Sequence, residues 1–301
     1  MVTGDAQMAA FEDSCPAWQS ADIAELVAVD LREPLHFTNR WSIIPQNKHI
    51  YGGQVVAQAL AAVEACQPDG FASHAIHVLF LGAGDASRMV RFQVEPLRQG
   101  RSFATYRVRA FQGDLILLEL LVSAHIDEGR GASHQHDMPK GLPGPEKLES
   151  IQLYSDRTGD PLGLIFCRRF MAHQSIEIRP CGPLGIVPGE TAARLFWIRT
   201  RTERPVTEPR IQRSLLAYIS DAWLASTSMV RHQDRIGANY PPMISLDHSL
   251  WIHHATDPGE WMLFETSSPF AGNQTGLSFG MLYDRSGRLI ANVAQQSLIR
   301  V

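Results

Sequence analysis

The sequence predicts an α+β fold of two similar halves, each an antiparallel sheet curled around one central helix. Three observations predict it. A helical run followed by four strand-like runs occurs between Gly53 and His125, and the same order recurs between Pro209 and Arg300. Both helical runs are apolar or small on more than one face, as a helix enclosed by protein must be. The turn Gln112-Gly113-Asp114 has a counterpart in Asp284-Arg285-Ser286-Gly287, between the last two strand runs of each half.

In the first half, short strands are expected near Leu35–Trp41 and Lys48–Tyr51, then a helix over Gly53–Cys66. Val55, Val56, Ala59, Leu60 and Val63 cover more than one face of that helix, and Ala57, Ala61 and Ala62 are small enough for close sheet contact. Strands follow at His74–Leu81, Met89–Leu97, Ser102–Phe111 and Leu115–His125. From Asp127 to Asp160 the pattern dissolves into Gly, His, Pro and charged residues. That stretch reads as a linker, with a short helix near Glu146–Tyr154. The second half opens with strands at Phe166–Ile178 and Ala193–Thr200 and a helix from Pro209 to Val230. It closes with strands at Met243–His253, Trp261–Thr266, Gly276–Tyr283 and Leu289–Arg300. An antiparallel meander after an apolar helix buries that helix by curling around it, which is the hotdog arrangement. Two copies make a tandem, or double, hotdog: residues 1–126 as the N-terminal domain, 127–160 as linker and 161–301 as the C-terminal domain carrying the candidate catalytic residues.

Bulk properties narrow the function. The 301 residues carry a formal charge of −4 with no basic block, which argues against nucleic acid as a partner. The four cysteines are scattered without a CxxC pair, as in a reduced, cytoplasmic protein, and imply neither a zinc site nor a disulfide frame. The first ten residues lack a signal-peptide pattern, and no apolar run approaches the roughly 20 residues that span a membrane.

The residue with the most chemical content is Asp221, the only charged residue from Ser214 to Val230. A carboxylate in an enclosed helix loses water and must gain hydrogen bonds, a partner or a proton. That makes it a candidate catalytic group; the alternative is a helix turned so that Asp221 faces solvent. The first-half helix has Gln58 in its middle and no carboxylate there, so a single centre per chain is expected, built mostly from the second half.

Several segments resemble the acyl-CoA thioesterase II family. Tyr51-Gly-Gly-Gln-Val-Val-Ala-Gln-Ala-Leu60 is similar to its helix-opening signature, and His74-Ala-Ile-His-Val-Leu-Phe-Leu-Gly-Ala-Gly-Asp85 to the strand that follows. Leu97-Arg-Gln-Gly-Arg-Ser-Phe103, Ser245-Leu-Asp-His-Ser-Leu-Trp-Ile-His253 and Gln295-Gln-Ser-Leu-Ile-Arg300 fit in the same order. The resemblance implies a double hotdog that hydrolyses fatty acyl-CoA to fatty acid and coenzyme A. It needs no cofactor beyond the coenzyme A carried by the substrate, and it implies assembly into homo-oligomers, dimers or tetramers of double hotdogs. The family's catalytic Asp maps to Asp221 and its Gln to Gln295. Its Thr position is Ser245 here, which keeps the hydroxyl and loses the methyl that restrains a threonine rotamer.

Such a reaction needs a positioned water, a group to take its proton and donors for the oxyanion. Asp221 would serve as base, while Gln295 and Ser245 hold the water. On an alternating strand Gln295 shares a face with Leu289, Ala291 and Val293, so it is buried and needs partners. Ser245 fits less well: it shares a face with Asp247 and Ser249, opposite Ile244, Leu246 and Leu250. Either that face lines the site or a bulge re-aims it, and Asp247 is a reserve carboxylate. Arg98, Arg101, Arg107 and Arg109 are candidates for the coenzyme A phosphates, against a plain solvated strand face. Trp223, Phe264, Phe270 and Phe279 are candidates for closing an acyl tunnel.

Gly276-Leu-Ser-Phe-Gly280 matches G-x-S-x-G, but a strand and turn follow it and no histidine lies after His254, so a serine-hydrolase elbow is rejected. No histidine grouping has metal-ligand spacing. Two rival functions remain. One is an enoyl-CoA hydratase on the same fold, which needs a close Asp/His pair that no sequence motif announces. The other is a non-catalytic acyl-CoA binder, favoured only by the serine at 245.

Overall fold

The computed structural model describes residues 14–20, 22–45, 47–129, 131–159, 175–187, 192–235 and 243–300. Helix α1 (Ile23–Leu26) and strands β1 (Val29–Glu33) and β2 (His36–Asn39) lead into helix α2 (Gly52–Cys66) and strands β3 (Phe71–Phe80), β4 (Arg91–Gln99), β5 (Phe103–Gln112) and β6 (Leu115–Ile126). After the short helix α3 (Ile151–Thr158) come β7 (Ile176–Pro180), β8 (Ala192–Thr200) and helix α4 (Pro209–Ser220). Strands β9 (Met243–Ser245), β10 (Asp247–Ile252), β11 (Met262–Gly272), β12 (Thr275–Tyr283) and β13 (Leu289–Ile299) complete the order.

The sheet runs β1-β2-β4-β5-β6-β3-β10-β13-β12-β11-β8-β7, with β9 added beside β13. Read outward from the β3–β10 junction, both halves have one topology. The strand after the helix pairs with the last strand of its half, then the third and the second follow, then the two that precede the helix. The duplication read from element order is therefore a duplication of topology, a double hotdog. The β3–β10 pairing, Leu79 opposite Asp247 through Ala75 opposite Trp251, makes one sheet of both halves.

Inside the sheet lie α2 and α4. Val55, Val56, Ala57, Ala59, Leu60, Ala62 and Val63 of α2 and Leu215, Leu216, Ala217 and Ile219 of α4 are buried in one core with the inner faces of β3 to β6. The helices run antiparallel. Gly53 at the start of α2 meets the end of α4, where Tyr51 Oη donates to Tyr218 O over 3.1 Å. At the other end Arg213 donates to both carboxylate oxygens of Glu64, each over 2.7 Å, with the side chains 8% and 2% exposed.

Two expectations need correction. The second helix does not reach Val230: α4 ends at Ser220, Asp221 is its C-cap residue, and a 3-10 helix covers Ala225–Arg235. The hydroxyls in the expected helical run explain this, because short polar side chains compete for backbone carbonyls. Ser226 donates to Trp223 O over 2.9 Å, Thr227 to the same oxygen over 3.3 Å and Ser228 to Ala225 O over 2.8 Å. Trp223 turns the chain with φ 63°, a left-handed conformation that L side chains adopt only under constraint. Lys48–Tyr51 is not a strand: His49 makes a single bridge to Asp85, and Lys48 has φ 58°. Expected strand residues 166–174 lie outside the described residues, and β7 begins at Ile176. Among the described residues no helix is long and apolar enough to cross a membrane.

Candidate active site

The antiparallel packing of α2 against α4 brings Asp221 to the first turn of α2. The Gly53 N–H donates to Asp221 Oδ2 over 2.9 Å, one of the N–H groups that a helix start leaves without an internal partner. Close approach requires the glycine pair. A Cβ on Gly52 would sit 3.0 Å from Asp221 Oδ2, and one on Gly53 would sit 2.5 Å from Tyr218 O. The candidate centre thus draws on the first half through its backbone, a contribution that the glycine spacing announced only as a helix start.

Burial raises the carboxyl of Asp221 above its ordinary range. The positive field of His248 and hydrogen bonds from the Gly53 N–H and the Gln295 amide pull the other way. The residue is partly exposed while its carboxylate is set among Tyr51, Tyr218, His248 and Gln295. Burial also pushes the Tyr51 and Tyr218 hydroxyls up, and the charge of Asp221 adds to that.

Gln295 on β13 is fully buried on the inner face, as strand parity requires. Its Nε2 donates to Ser245 Oγ over 2.9 Å. Parity alone places Ser245 away from this face, and a one-residue bulge resolves the conflict. Ser245 pairs with Ser297 and Ser249 with Ala294, so one extra residue stands on the β9–β10 side between the two registers. The bulge turns Ser245 to the inner face with His248, Leu250 and Ile252, while Ile244 stays 55% exposed. Asp247 is directed elsewhere, accepting the Gln296 N–H over 2.8 Å.

His248 was not among the expected residues. It is buried at 1% exposure, with Nδ1 2.7 Å from Gln295 Oε1 and Nε2 2.9 Å from Ser220 Oγ. The signal was present in the sequence: His248 has the parity of Leu250 and Ile252, and a histidine on an apolar strand face needs partners.

The remaining candidates scatter. Arg107 pairs with Glu95, and Arg109 stands 4.0 Å from Glu119, both on the face of β5 opposite the buried Ala104, Tyr106 and Val108. Arg98 and Arg101 lie at the β4–β5 turn, whereas Phe80 and the start of α2 meet at the opposite end of the sheet. None of the four is brought to Asp221. Trp223 is buried, with Arg194 stacked 4.7 Å above its ring and Phe196 edge-on at 5.2 Å, and Phe264 lies behind Phe196 at 5.3 Å. Phe270 and Phe279 are 52% and 44% exposed, on the outside of the sheet.

Ser278 of the G-x-S-x-G match faces inward opposite Gln295, and its glycines serve packing. A Cβ at Gly276 would meet Ser228 at 2.4 Å, and one at Gly280 would meet Phe264 at 2.4 Å. Among the described residues no three His, Cys, Asp or Glu side chains are grouped to hold a metal ion.

Residues 39–126 match the family described as acyl-CoA thioesterase N-terminal domain, and residues 145–299 match the acyl-CoA thioesterase C-terminal domain. Acyl-coenzyme A thioesterase 8 of Rattus norvegicus is 32% identical over 89% of this chain and 86% of its own. Acyl-CoA thioesterase 2 of Haemophilus influenzae is 31% identical over 84% of this chain and 88% of its own. Among solved structures, the acyl-CoA thioesterase II TesB2 of Mycobacterium marinum superposes with a TM-score of 0.75 at 28% identity, over 92% of this chain and 98% of that one.

Proposed function

The chain belongs to the acyl-CoA thioesterase family, and from that premise we propose that it hydrolyses fatty acyl-CoA to free fatty acid and coenzyme A, with Asp221 activating a water that Ser245 and Gln295 hold. One observation carries the assignment of roles: a carboxylate, an amide and a hydroxyl from three separate elements converge, with Gln295 bonded to Ser245 and reaching Asp221.

The chemistry follows from what each group can do. Burial strengthens Asp221 as a base, bringing its proton affinity closer to working pH, where general-base catalysis is most effective. Water attacks the thioester carbonyl carbon while its proton passes to Asp221. The C–S bond then breaks, and the coenzyme A thiolate takes up a proton on leaving. Gln295 and Ser245 can each donate and accept, so they orient the lone pair of the water without becoming acylated. The Gly53 N–H keeps the carboxylate from rotating away. The coenzyme A of the substrate is the only cofactor this chemistry calls for.

The test is free-thiol release from a panel of acyl-CoAs. Asp221→Asn is expected to lower kcat by about 10²- to 10⁴-fold, the usual contribution of a positioned base. Wild-type protein that frees no thiol at any chain length would overturn the activity, and an Asp221→Asn variant of undiminished rate would overturn the role.

His248 beside Asp221 supplies the acid/base pair that an enoyl-CoA hydratase would need, and this favours a second reading. Both ring nitrogens of His248 are engaged by Gln295 and Ser220, however, which leaves neither free to serve as an acid toward substrate. Hydration of crotonyl-CoA without thiol release would reverse this preference. Assembly into dimers or tetramers through the outer sheet face is part of the same reading. Leu79, Leu121 and Trp251 are exposed there around His77, and sedimentation of a monomer at micromolar concentration would end that part.

A further inference from the structure

Gln295 has an amide with two unlike ends, and only one orientation points its N–H groups at Ser245 and Asp221. Rotated by half a turn, it would present its oxygen to the carboxylate, where two acceptors repel. The carboxylate opposes that flip from the nitrogen end of the amide, and the neighbour that holds its oxygen end is His248. The ring is buried, its Nδ1 lies 2.7 Å from Gln295 Oε1, and the β10–β13 register sets it beside Gln295 on the inner face. An amide oxygen only accepts, so Nδ1 carries the hydrogen of that bond.

We propose that His248 is a positioning residue for the hydrolysis, locking the Gln295 amide in the one orientation that serves Ser245 and Asp221 and setting its ring beside the carboxylate. The inference rests on the thioesterase reading above. Ser220 defines the second half of the arrangement. Its hydroxyl lies 2.9 Å from Ala217 O, an acceptor, and 2.9 Å from His248 Nε2. With its single proton given to Ala217 O, Ser220 offers an acceptor to Nε2, so that each ring nitrogen has an acceptor within hydrogen-bond distance. A positive ring near Asp221 favours the ionised carboxylate against the burial that opposes it. Among the described residues the titratable groups set with this ring around the Asp221 carboxylate are Tyr218 on α4 and Tyr51 ahead of α2. Strand β3 sets Val78 opposite and turns His77 outward to Ser249, and Asp247 is occupied by the Gln296 N–H.

Two variants separate the two effects. His248→Leu removes both hydrogen bonds and the ionisable ring. His248→Asn keeps a donor near the Nδ1 position and loses the ionisable ring. Thiol release is followed from pH 5 to 9 for each, with kcat and KM separated. For His248→Leu the expected result is a kcat lowered by about 10²-fold or more with KM within about threefold, as for loss of an interaction made in the transition state. The acidic limb of its kcat profile also moves to higher pH, because Asp221 loses the group that favours its charged form. His248→Asn recovers at least about tenfold of the lost kcat by restoring the amide contact but leaves the limb displaced. A merely structural histidine would change thermal stability without moving the limb. If His248→Leu does not fold, His248→Asn decides alone: a displaced limb supports the proposal and an unmoved one overturns it. Folded His248→Leu with near wild-type kcat and an unmoved limb overturns it as well. Absence of thiol release from wild-type protein overturns the thioesterase reading itself, an outcome distinct from active wild type with indifferent variants.

Discussion

Glu64 and Arg213 offer the sharpest test of the fold, because they join the two halves through the paired helices. The two nitrogen–oxygen contacts are 2.7 Å each, and the side chains are 2% and 8% exposed. Glu64→Gln leaves the Arg213 guanidinium in a dry core without its counter-charge. Breaking a buried pair from one side costs about 3–5 kcal/mol, because the remaining charge keeps its desolvation penalty and loses its compensation. For a chain of this size each kcal/mol lowers Tm by about 2–3 °C, so the expected loss is about 6–15 °C. Arg213→Met is expected to cost a similar amount, since it strands Glu64 instead. The double change Glu64→Leu with Arg213→Met replaces both charges by apolar groups of similar volume, and it should return within about 1 kcal/mol of wild type. Thermal unfolding of the four proteins, followed by circular dichroism, makes the comparison. Turnover at 25 °C should stay within about threefold in every folded variant, because Glu64 lies eleven residues along α2 from Gly53, about 16 Å at 1.5 Å per residue. A Glu64→Gln variant that loses less than about 2 °C, or a double variant no more stable than the singles, would refute the picture of two helices clamped by a desolvated pair.

Asp221→Asn should raise Tm at pH 8 while it removes activity. The fold raises the Asp221 carboxyl above its ordinary 3.8, so ionisation opposes folding; the penalty sets in as pH rises from that value through the raised one, and the gain from the substitution should vanish as pH falls back toward 4. A stability difference independent of pH would contradict this. Gly53→Ala sets a Cβ 2.5 Å from Tyr218 O, which forces the helix start away from Asp221; a loss of about 1–3 kcal/mol and a fall in kcat of at least about tenfold are expected, and an unaffected kcat would show that the Gly53 contact does not hold the base. Ser278→Ala should leave kcat within about threefold, where loss of a true serine nucleophile costs about 10⁶-fold, so a collapse of activity would restore the rejected serine-hydrolase motif.

The parts of this molecule that were legible in the sequence are those where one periodicity governs. Helix α2 shows its many-sided apolar character in Val55, Val56, Ala59, Leu60 and Val63, and Gln295 shows its inward direction by sharing parity with Ala291 and Val293. What was not legible depends on a local break in period. The bulge between Ser245 and Ser249 reverses the face of Ser245 relative to His248, and alternation cannot reveal one extra residue. The end of α4 was overrun because apolar content was read without the competition from Ser226, Thr227 and Ser228 for backbone carbonyls. The four arginines lie on or near adjoining strands, as the sequence indicates; Arg107 and Arg109 stand on the outer face of β5, and Arg98 and Arg101 at the β4–β5 turn.

The same duplication that builds the site also accounts for its asymmetry. Antiparallel α2 and α4 create two comparable places, each where the start of one helix meets the end of the other. At one, the start of α2 carries a glycine pair, and its bare N–H group approaches Asp221 with no side chain between. At the other, the start of α4 carries Arg213, which takes both oxygens of Glu64 near the end of α2. Gln58 is not the residue that distinguishes the halves, since it spends its amide on Leu26 O and Trp41 O at the side of the helix. The difference lies in what faces each carboxylate. A backbone N–H and a neutral amide hydrogen-bond one carboxylate without neutralising it, whereas a guanidinium fork takes both oxygens of the other and neutralises it. One chain thus turns equivalent geometry to two ends: a charged clamp that joins the helices, and a carboxylate held by a bare backbone N–H.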